Sequence, residues 1–339
     1  MAALREALHA AGFGQYADAV CSEYDHLRTL STAEMTAHLK SSCGVGTLGH
    51  RHRIVKVLLE VPVATPPDTS YAHSIAPSTG SGDALPPHLA AMVVQAPPFT
   101  QPLMSGLLDT SVIPPGTHLR PNASYPGLWP LHDSPPVYVV DGFLSDDECD
   151  ALTRLADPLL RKSLTDGGES RTRTSRSCHL RKGSHPCPSM LRKVVALTGK
   201  PLSHMETPQV ARYESGQFYE MHFDGQPKGG TAVSERFFDG GGQRVGTCLI
   251  YLNDVSDGGH TRFNRLGFEV APRKGCAVVF FPGFADTGHL DPRALHEARP
   301  AVDRKYVCQV WIREHELPPD LNENEGVGHR LLEALYSPK

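Results

Sequence analysis

The sequence predicts a multidomain chain: an all-α bundle, then a proline-rich linker, then an antiparallel jelly roll backed by supporting helices. Three observations predict it. Residues 1–61 carry apolar side chains at helical spacing. Sixteen of the 29 prolines fall between Pro62 and Pro136. Beyond residue 207, short apolar runs alternate with Gly, Pro, Asn and Asp, the punctuation of a strand-rich sandwich or barrel. A chain of 339 residues also exceeds what one core usually organises, which favours two domains.

In the first part, Leu4, Leu8 and Ala11 share one helical face, and Ile54, Val55, Val57, Leu58 and Leu59 make an apolar final helix. Ser31-Thr-Ala-Glu34 is a capping box that opens a middle helix running toward Leu39. Residues 62–135 lack sustained periodicity and contain Ser-Thr-Gly-Ser-Gly at 78–82, so they are expected to be a disordered linker. After it, Val137–Val140 reads as a strand and Asp141–Glu148 leads into a helix through Ala151, Leu152 and Leu155. Val210–Tyr213, Gly246–Leu252, Cys276–Phe281 and Tyr306–Ile312 read as further strands, and residues 316–339 as a C-terminal extension.

Lys and Arg number 33 against 37 Asp and Glu, so the chain lacks the basic excess of a dedicated nucleic-acid binder. Arg5 and Glu6 interrupt the N-terminus, which therefore reads as neither secretory signal nor anchor, and no stretch approaches the length of a membrane span. A cytoplasmic location is expected on these grounds. The eight cysteines show no C-x-x-C pair or zinc spacing, and a reducing compartment would leave them as free thiols. Cys178 and Cys187 are the two close enough in sequence to pair otherwise. The sequon at Asn122 would matter only in a secreted protein.

The chemistry centres on His222-Phe-Asp224. On a strand, residues two apart point to one face, so an imidazole and a carboxylate can bind one metal together. Alone, the pattern is weak among 18 histidines. His296, expected in a loop entering the final strand, completes a two-histidine, one-carboxylate set, which leaves positions open on iron(II) for a 2-keto acid and dioxygen. Nine residues later, Lys305 can place an ammonium in the barrel to meet the acid's far carboxylate.

Two resemblances sharpen this reading. Leu4–Leu8, Gly12-Phe13 with Tyr16, Leu30–Met35 and Gly44–Arg51 resemble the SAM (sterile alpha motif) domain. That resemblance implies a five-helix bundle and protein association, as a homo- or hetero-oligomer. Residues 136–315 resemble the prolyl 4-hydroxylase catalytic domain of the α-subunit type. The resemblance rests on Arg212-Tyr213, Gln217–Tyr219, His222–Asp224, Gln243-Arg244 with Thr247–Leu252, Gly258–Thr261, Pro272–Gly275 before Ala277–Phe281, His296 with Pro300, and Lys305 with Trp311.

It implies a double-stranded β-helix (jelly roll) and an iron(II)- and 2-oxoglutarate-dependent dioxygenase that hydroxylates peptidyl proline, giving succinate and carbon dioxide. L-ascorbate is expected to rescue oxidised iron. Carried over by position, His222, Asp224 and His296 hold the metal and Lys305 meets the 2-oxoglutarate C5 carboxylate. Tyr213, Tyr219 and Thr261 line the cosubstrate pocket. Arg244 and Trp311 face the peptide, and Arg173-Thr174-Ser175 resembles the loop that closes over it, although Arg171–Arg176 also reads as a plain solvated basic loop.

The chain departs from the pattern in places. His260 stands where the family often has Glu, and by alternation Thr261 should face inward. The insert Gly229–Gly242 lengthens the connection after the metal strand. His296–Ala301 resembles oxygen-sensing hydroxylases, whereas Lys305 favours the collagen-type and plant-type branch. Lysine or another non-proline substrate, or a non-catalytic SAM-based interaction protein, remain the alternatives. The natural substrate, its hydroxylation position and the oligomeric state are not legible.

Overall fold

The computed structural model describes residues 2–23, 27, 32–47, 50–51, 54–55, 57–58, 84–100, 104–105, 108–109, 112–165, 168–169, 171–229 and 232–318. The expected Ser31 cap, residues 62–83 of the expected linker and residues 319–339 of the extension lie outside these described residues. The chain divides into two compact units, residues 1–73 and 74–339.

The first unit contains α1 (Ala2–Ala10), α2 (Ala17–Ser22) and α3 (Thr32–Ser41), with further helical residues at 50–51, 54–55 and 57–58. Leu4, Leu8, Phe13, Val20, Leu27, Leu39, Val45, Ile54 and Leu58 form its apolar core. Ala11 does not join them. Because α1 ends at Ala10, Ala11 is exposed in the turn and Phe13 is the next residue to enter the core.

In the second unit, α4 (Pro87–Ala90) precedes β1 (Val93–Gln95) and the small hairpin β2 (Met104–Ser105) and β3 (Leu108–Asp109). β4 (Leu128–Asp133) and β5 (Pro136–Val140) follow, then α5 (Asp146–Ala156). The short strands β6 (Arg161–Lys162), β7 (Leu164–Thr165) and β8 (Gly168–Glu169) lead to β9 (Arg176–His179) and α6 (Cys187–Thr198). The rest of this unit comprises β10 (Gln209–Tyr213), β11 (Tyr219–His222), α7 (Ala232–Asp239), β12 (Arg244–Tyr251), β13 (Thr261–Phe263), β14 (Phe268–Val270), β15 (Ala277–Phe280), β16 (His296–Ala298) and β17 (Lys305–Arg313).

These strands build a major sheet in the order β4-β5-β15-β12-β17-β10-β9-β6 and a minor sheet in the order β1-β14-β13-β16-β11. Every pairing is antiparallel. Alternation decides which way each residue faces. In β12, Cys248 and Ile250 pack toward the helices, whereas Leu249 and Tyr251 face the minor sheet. In β17, Tyr306, Cys308, Val310 and Ile312 join the helical layer formed by α5 and α6. Lys305, Val307, Gln309, Trp311 and Arg313 take the opposite face. α5 opens with a reciprocal capping box, in which Ser145 Oγ accepts from Glu148 N–H and Glu148 accepts from Ser145 N–H. Among the described residues, no helix is long and apolar enough to cross a membrane.

The expected domain start at residue 136 needs correction. β1 pairs with β14, β4 pairs with β5, and Leu89 and Met92 are buried in the core between the two sheets. These segments escape sequence reading because β1 has only three residues and β4 carries Pro130 beside an irregular register. Both lie at sheet edges, where a missing N–H is tolerated. Leu89→Ala is expected to destabilise the second unit by about 2–5 kcal/mol, the usual cost of emptying a buried leucine site. Denaturant unfolding measures it, and an unchanged midpoint would remove residues 84–100 from the barrel.

Candidate active site

Three side chains converge inside the jelly roll. The register aligns His222 of β11 directly opposite His296 of β16, and such cross-strand partners are nearest neighbours. Asp224 comes from the turn beyond β11. Its carboxylate Oδ1 lies 3.8 Å from Nε2 of both imidazoles, and one ligand atom from each of the three falls within 4.8 Å of the others. The expectation that His222 and Asp224 share a strand is therefore corrected, because β11 ends at His222 after a register shift. His296 is also no loop residue: it opens β16 and pairs with Phe263 as well as His222.

The surroundings fix each ligand. His222 Nδ1 lies 2.8 Å from the Glu220 carbonyl and His296 Nδ1 lies 3.0 Å from the Ala294 carbonyl. A carbonyl only accepts, so Nδ1 carries the proton and Nε2 turns a lone pair toward the centre. Burial and the adjacent His296 ring push His222 down to about 3, so it is neutral at physiological pH. Burial alone would raise the Asp224 carboxyl, but His296, His222 and Arg244 hold it below its ordinary range. Thr247 Oγ1 donates to Asp224 Oδ2 at 2.8 Å.

The turn after Asp224 is clamped. The Gln243 side-chain amide, 0% exposed, accepts from Gln226 N–H and donates to Gln226 O. A Cβ at Gly225 would lie 2.5 Å from Gln243 Oε1, so a larger residue here would push the Gln243 amide out of these hydrogen bonds.

Lys305 lies at the β17 end of the same interior, 1% exposed. Its Nζ donates to Gly259 O at 2.6 Å and sits 5.4 Å and 5.6 Å from the Tyr213 and Tyr251 ring centres. Among the described residues it has no carboxylate partner, and burial lowers it from 10.5 to about 7. A buried cation of this kind fits an anionic ligand group. Thr261 is buried and accepts from Tyr251 Oη at 2.8 Å, while His260 is half-buried, as the alternation requires. Tyr251, Gly259, Thr247, Gln243 and Glu206 are site-building residues to which sequence reading assigned no role. The alternation of β12 would have flagged Thr247 and Tyr251, but nothing local marks Glu206.

The expected substrate residues have internal partners. The Arg244 guanidinium pairs with both Glu206 carboxylate oxygens at 2.7 Å, donates to the Asp224 carbonyl at 3.0 Å, and lies 3.8 Å from the Trp311 ring centre. Arg313, 0% exposed, also donates to Glu206. Burial disfavours the Glu206 charge, yet these two arginines hold it down at about 2. Trp311 is buried, and its indole N–H has no hydrogen-bond partner among the described residues.

Arg173 and Ser175 are buried, which excludes a plain solvated loop for them. Arg173 donates to Ser175 and Gln209, and Thr174 exchanges hydrogen bonds with the Phe218 backbone. All eight cysteines are buried and unbridged, Cys178 and Cys187 included.

A jelly roll enclosing two imidazoles, one carboxylate and a buried lysine matches a defined class: residues 208–313 match the 2OG-Fe(II) oxygenase superfamily. The chain is 32% identical over 219 residues to probable prolyl 4-hydroxylase 7 of Arabidopsis thaliana, spanning 57% of this chain and 67% of that protein. It is 34% identical over 209 residues to prolyl 4-hydroxylase 5 of the same plant, spanning 54% and 69%. A solved viral collagen prolyl hydroxylase from Paramecium bursaria Chlorella virus-1 is 27% identical, with a TM-score of 0.42 over 52% of this chain and 94% of that one. The chain belongs to the prolyl 4-hydroxylase family and is a 2-oxoglutarate-dependent dioxygenase of that type. Iron(II), 2-oxoglutarate and dioxygen are the requirements of the class.

Proposed function

We propose that this chain hydroxylates peptidyl proline, with His222, Asp224 and His296 holding iron(II) and Lys305 holding the C5 carboxylate of 2-oxoglutarate. The observation that carries this reading is the convergence of two Nε2 lone pairs and one carboxylate beside a buried lysine that has no carboxylate partner among the described residues. The donor set suits iron(II) and leaves room for a chelating keto acid. When bound, the ion with 2-oxoglutarate and dioxygen supplies the oxidation, giving succinate, carbon dioxide and a hydroxyl group on the proline ring.

The protein supplies geometry and charge. His222 stays neutral and Asp224 ionised, so both are ready as ligands without proton loss at neutral pH. Tyr213, Tyr251 and Thr261 line the cosubstrate end around Lys305, and Tyr219 stacks on His222. Arg244 and Trp311 form a flat, stacked wall for the substrate ring, while Glu206 keeps Arg244 in place. Thr174 and the flanking Arg173 and Ser175 form the neighbouring wall.

Ascorbate would restore oxidised iron. The first unit acts as a SAM-like association module, a reading supported by its helical core and the motifs from Leu4 to Arg51. The unbridged thiols suit a reducing compartment.

Purified protein given iron(II), 2-oxoglutarate, ascorbate and a proline-rich peptide panel should add one oxygen to proline, read by fragment mass spectrometry. Succinate release with no oxygen on proline, but with oxygen on lysine or a small molecule, would replace the substrate class. No iron-dependent turnover of any kind would leave a non-catalytic interaction protein.

Lys305 adds a pH signature. Before the cosubstrate binds, its amine loses its proton as pH rises through about 7, so 2-oxoglutarate binding above that pH must take up a proton. Apparent affinity should fall by up to roughly tenfold per pH unit above about 7. Titration calorimetry in buffers of different ionisation heat measures the proton uptake. The stability sign is opposite: between about 7 and 10.5 the folded state binds fewer protons than the unfolded one, so the cosubstrate-free protein gains stability with rising pH.

A further inference from the structure

We infer that Arg173 is a positioning residue for the metal centre, acting through Tyr219 on His222; the inference rests on the reading of His222 as a metal ligand. The three groups form one stack. Tyr219 and His222 lie with ring centres 3.6 Å apart and planes 14° from parallel. The Arg173 guanidinium carbon lies 4.8 Å from the Tyr219 ring centre. That guanidinium is fixed from behind, since Nη2 donates to Gln209 Oε1 at 2.8 Å and Nε to Ser175 Oγ at 3.2 Å. Gln209 is itself buried and accepts from Gln309.

The backbone follows the same route. Residues 172–174 run beside β11: Thr174 N–H donates to Phe218 O at 3.0 Å, Glu220 N–H donates to Thr172 O at 2.8 Å, and Arg173 bridges Tyr219. Glu220 in turn offers the carbonyl that orients His222 Nδ1. Side chain and backbone of this segment thus converge on one imidazole.

The consequence is a linkage. A cation held over an aromatic face is attracted to it, and the face is in turn held against the imidazole, which narrows the ring orientations open to His222. Groups that orient a ligating histidine typically change metal affinity by 10–100-fold when removed. If a peptide that binds against residues 171–175 steadies the stack further, it tightens metal binding by the same factor by which the metal tightens peptide binding.

The test is the iron(II) dissociation constant, measured anaerobically on the full chain without 2-oxoglutarate, with and without a proline-rich peptide. Arg173→Gln should weaken iron(II) binding roughly 10-fold or more and lose the peptide-induced tightening. Arg173→Lys, which keeps charge and stem, should retain part of both. Tyr219→Leu breaks the stack at its middle and should reproduce Arg173→Gln, so the inference does not depend on one variant folding. His222→Ala serves as reference. If His222→Ala abolishes iron binding while folded Arg173→Gln and Tyr219→Leu bind iron as the wild type does, the positioning role is overturned and the centre stands. If His222→Ala also binds iron normally, the reading of the centre itself fails.

Discussion

His296→Ala should lose both iron(II) binding and turnover, with kcat/KM lower by roughly 10³-fold or more, equivalent to at least about 4 kcal/mol of transition-state stabilisation. The reason is geometric. His296 is 4% exposed, held by the Ala294 carbonyl and packed edge-on against Phe280 at 4.7 Å, so its ring is fixed where the centre needs it. His260, which stands where the family pattern often has Glu, belongs to the stretch beside β13 and is not part of the metal group. The fold should survive the change, since the site is built by the sheets and not by the metal. Near-unchanged thermal unfolding beside absent iron binding is the expected pair of results. Retained iron-dependent turnover would contradict the centre.

Lys305 should show the second large effect. Lys305→Ala leaves the C5 carboxylate of 2-oxoglutarate without its cation in a buried site, typically a loss of about 3–5 kcal/mol, or roughly two to three and a half powers of ten in cosubstrate affinity. KM for 2-oxoglutarate should rise accordingly. Lys305→Met keeps much of the volume without the charge and should lose affinity in the same way. It should also make the cosubstrate-free protein more stable, because an amine whose proton is already loosened to about 7 by burial is then gone. Higher stability with lost cosubstrate binding separates a functional lysine from a structural one. Unchanged affinity would remove Lys305 from the site.

How much of this was legible follows from what each feature depends on. The strands around Val137, Val210, Leu249, Val278 and Val307 were legible because apolar runs between turn residues report burial locally. His222, Asp224, His296 and Lys305 stood out because their chemistry is rare in a barrel interior and their order is specific. The extent of the barrel was not legible: β1 is held by pairing to the distant β14, and β4, which carries Pro130, sits at a sheet edge where pairing tolerates it.

The partners of the site were equally hidden. Glu206 holds Arg244 across 38 positions of sequence and Arg173 reaches Gln209 across 36, contacts that exist only once the sheets form. The stretch expected as a closing loop or a solvated basic segment is tied to Phe218 and Tyr219, which alternation within residues 171–176 could not disclose.

The most direct test of the central claim follows isotopically labelled dioxygen through one turnover with a proline-containing peptide. One labelled oxygen on the proline ring and one in succinate, both absent in His296→Ala, is the expected result. Label in succinate alone would contradict prolyl hydroxylation of that peptide, and label in neither product would contradict the dioxygenase itself.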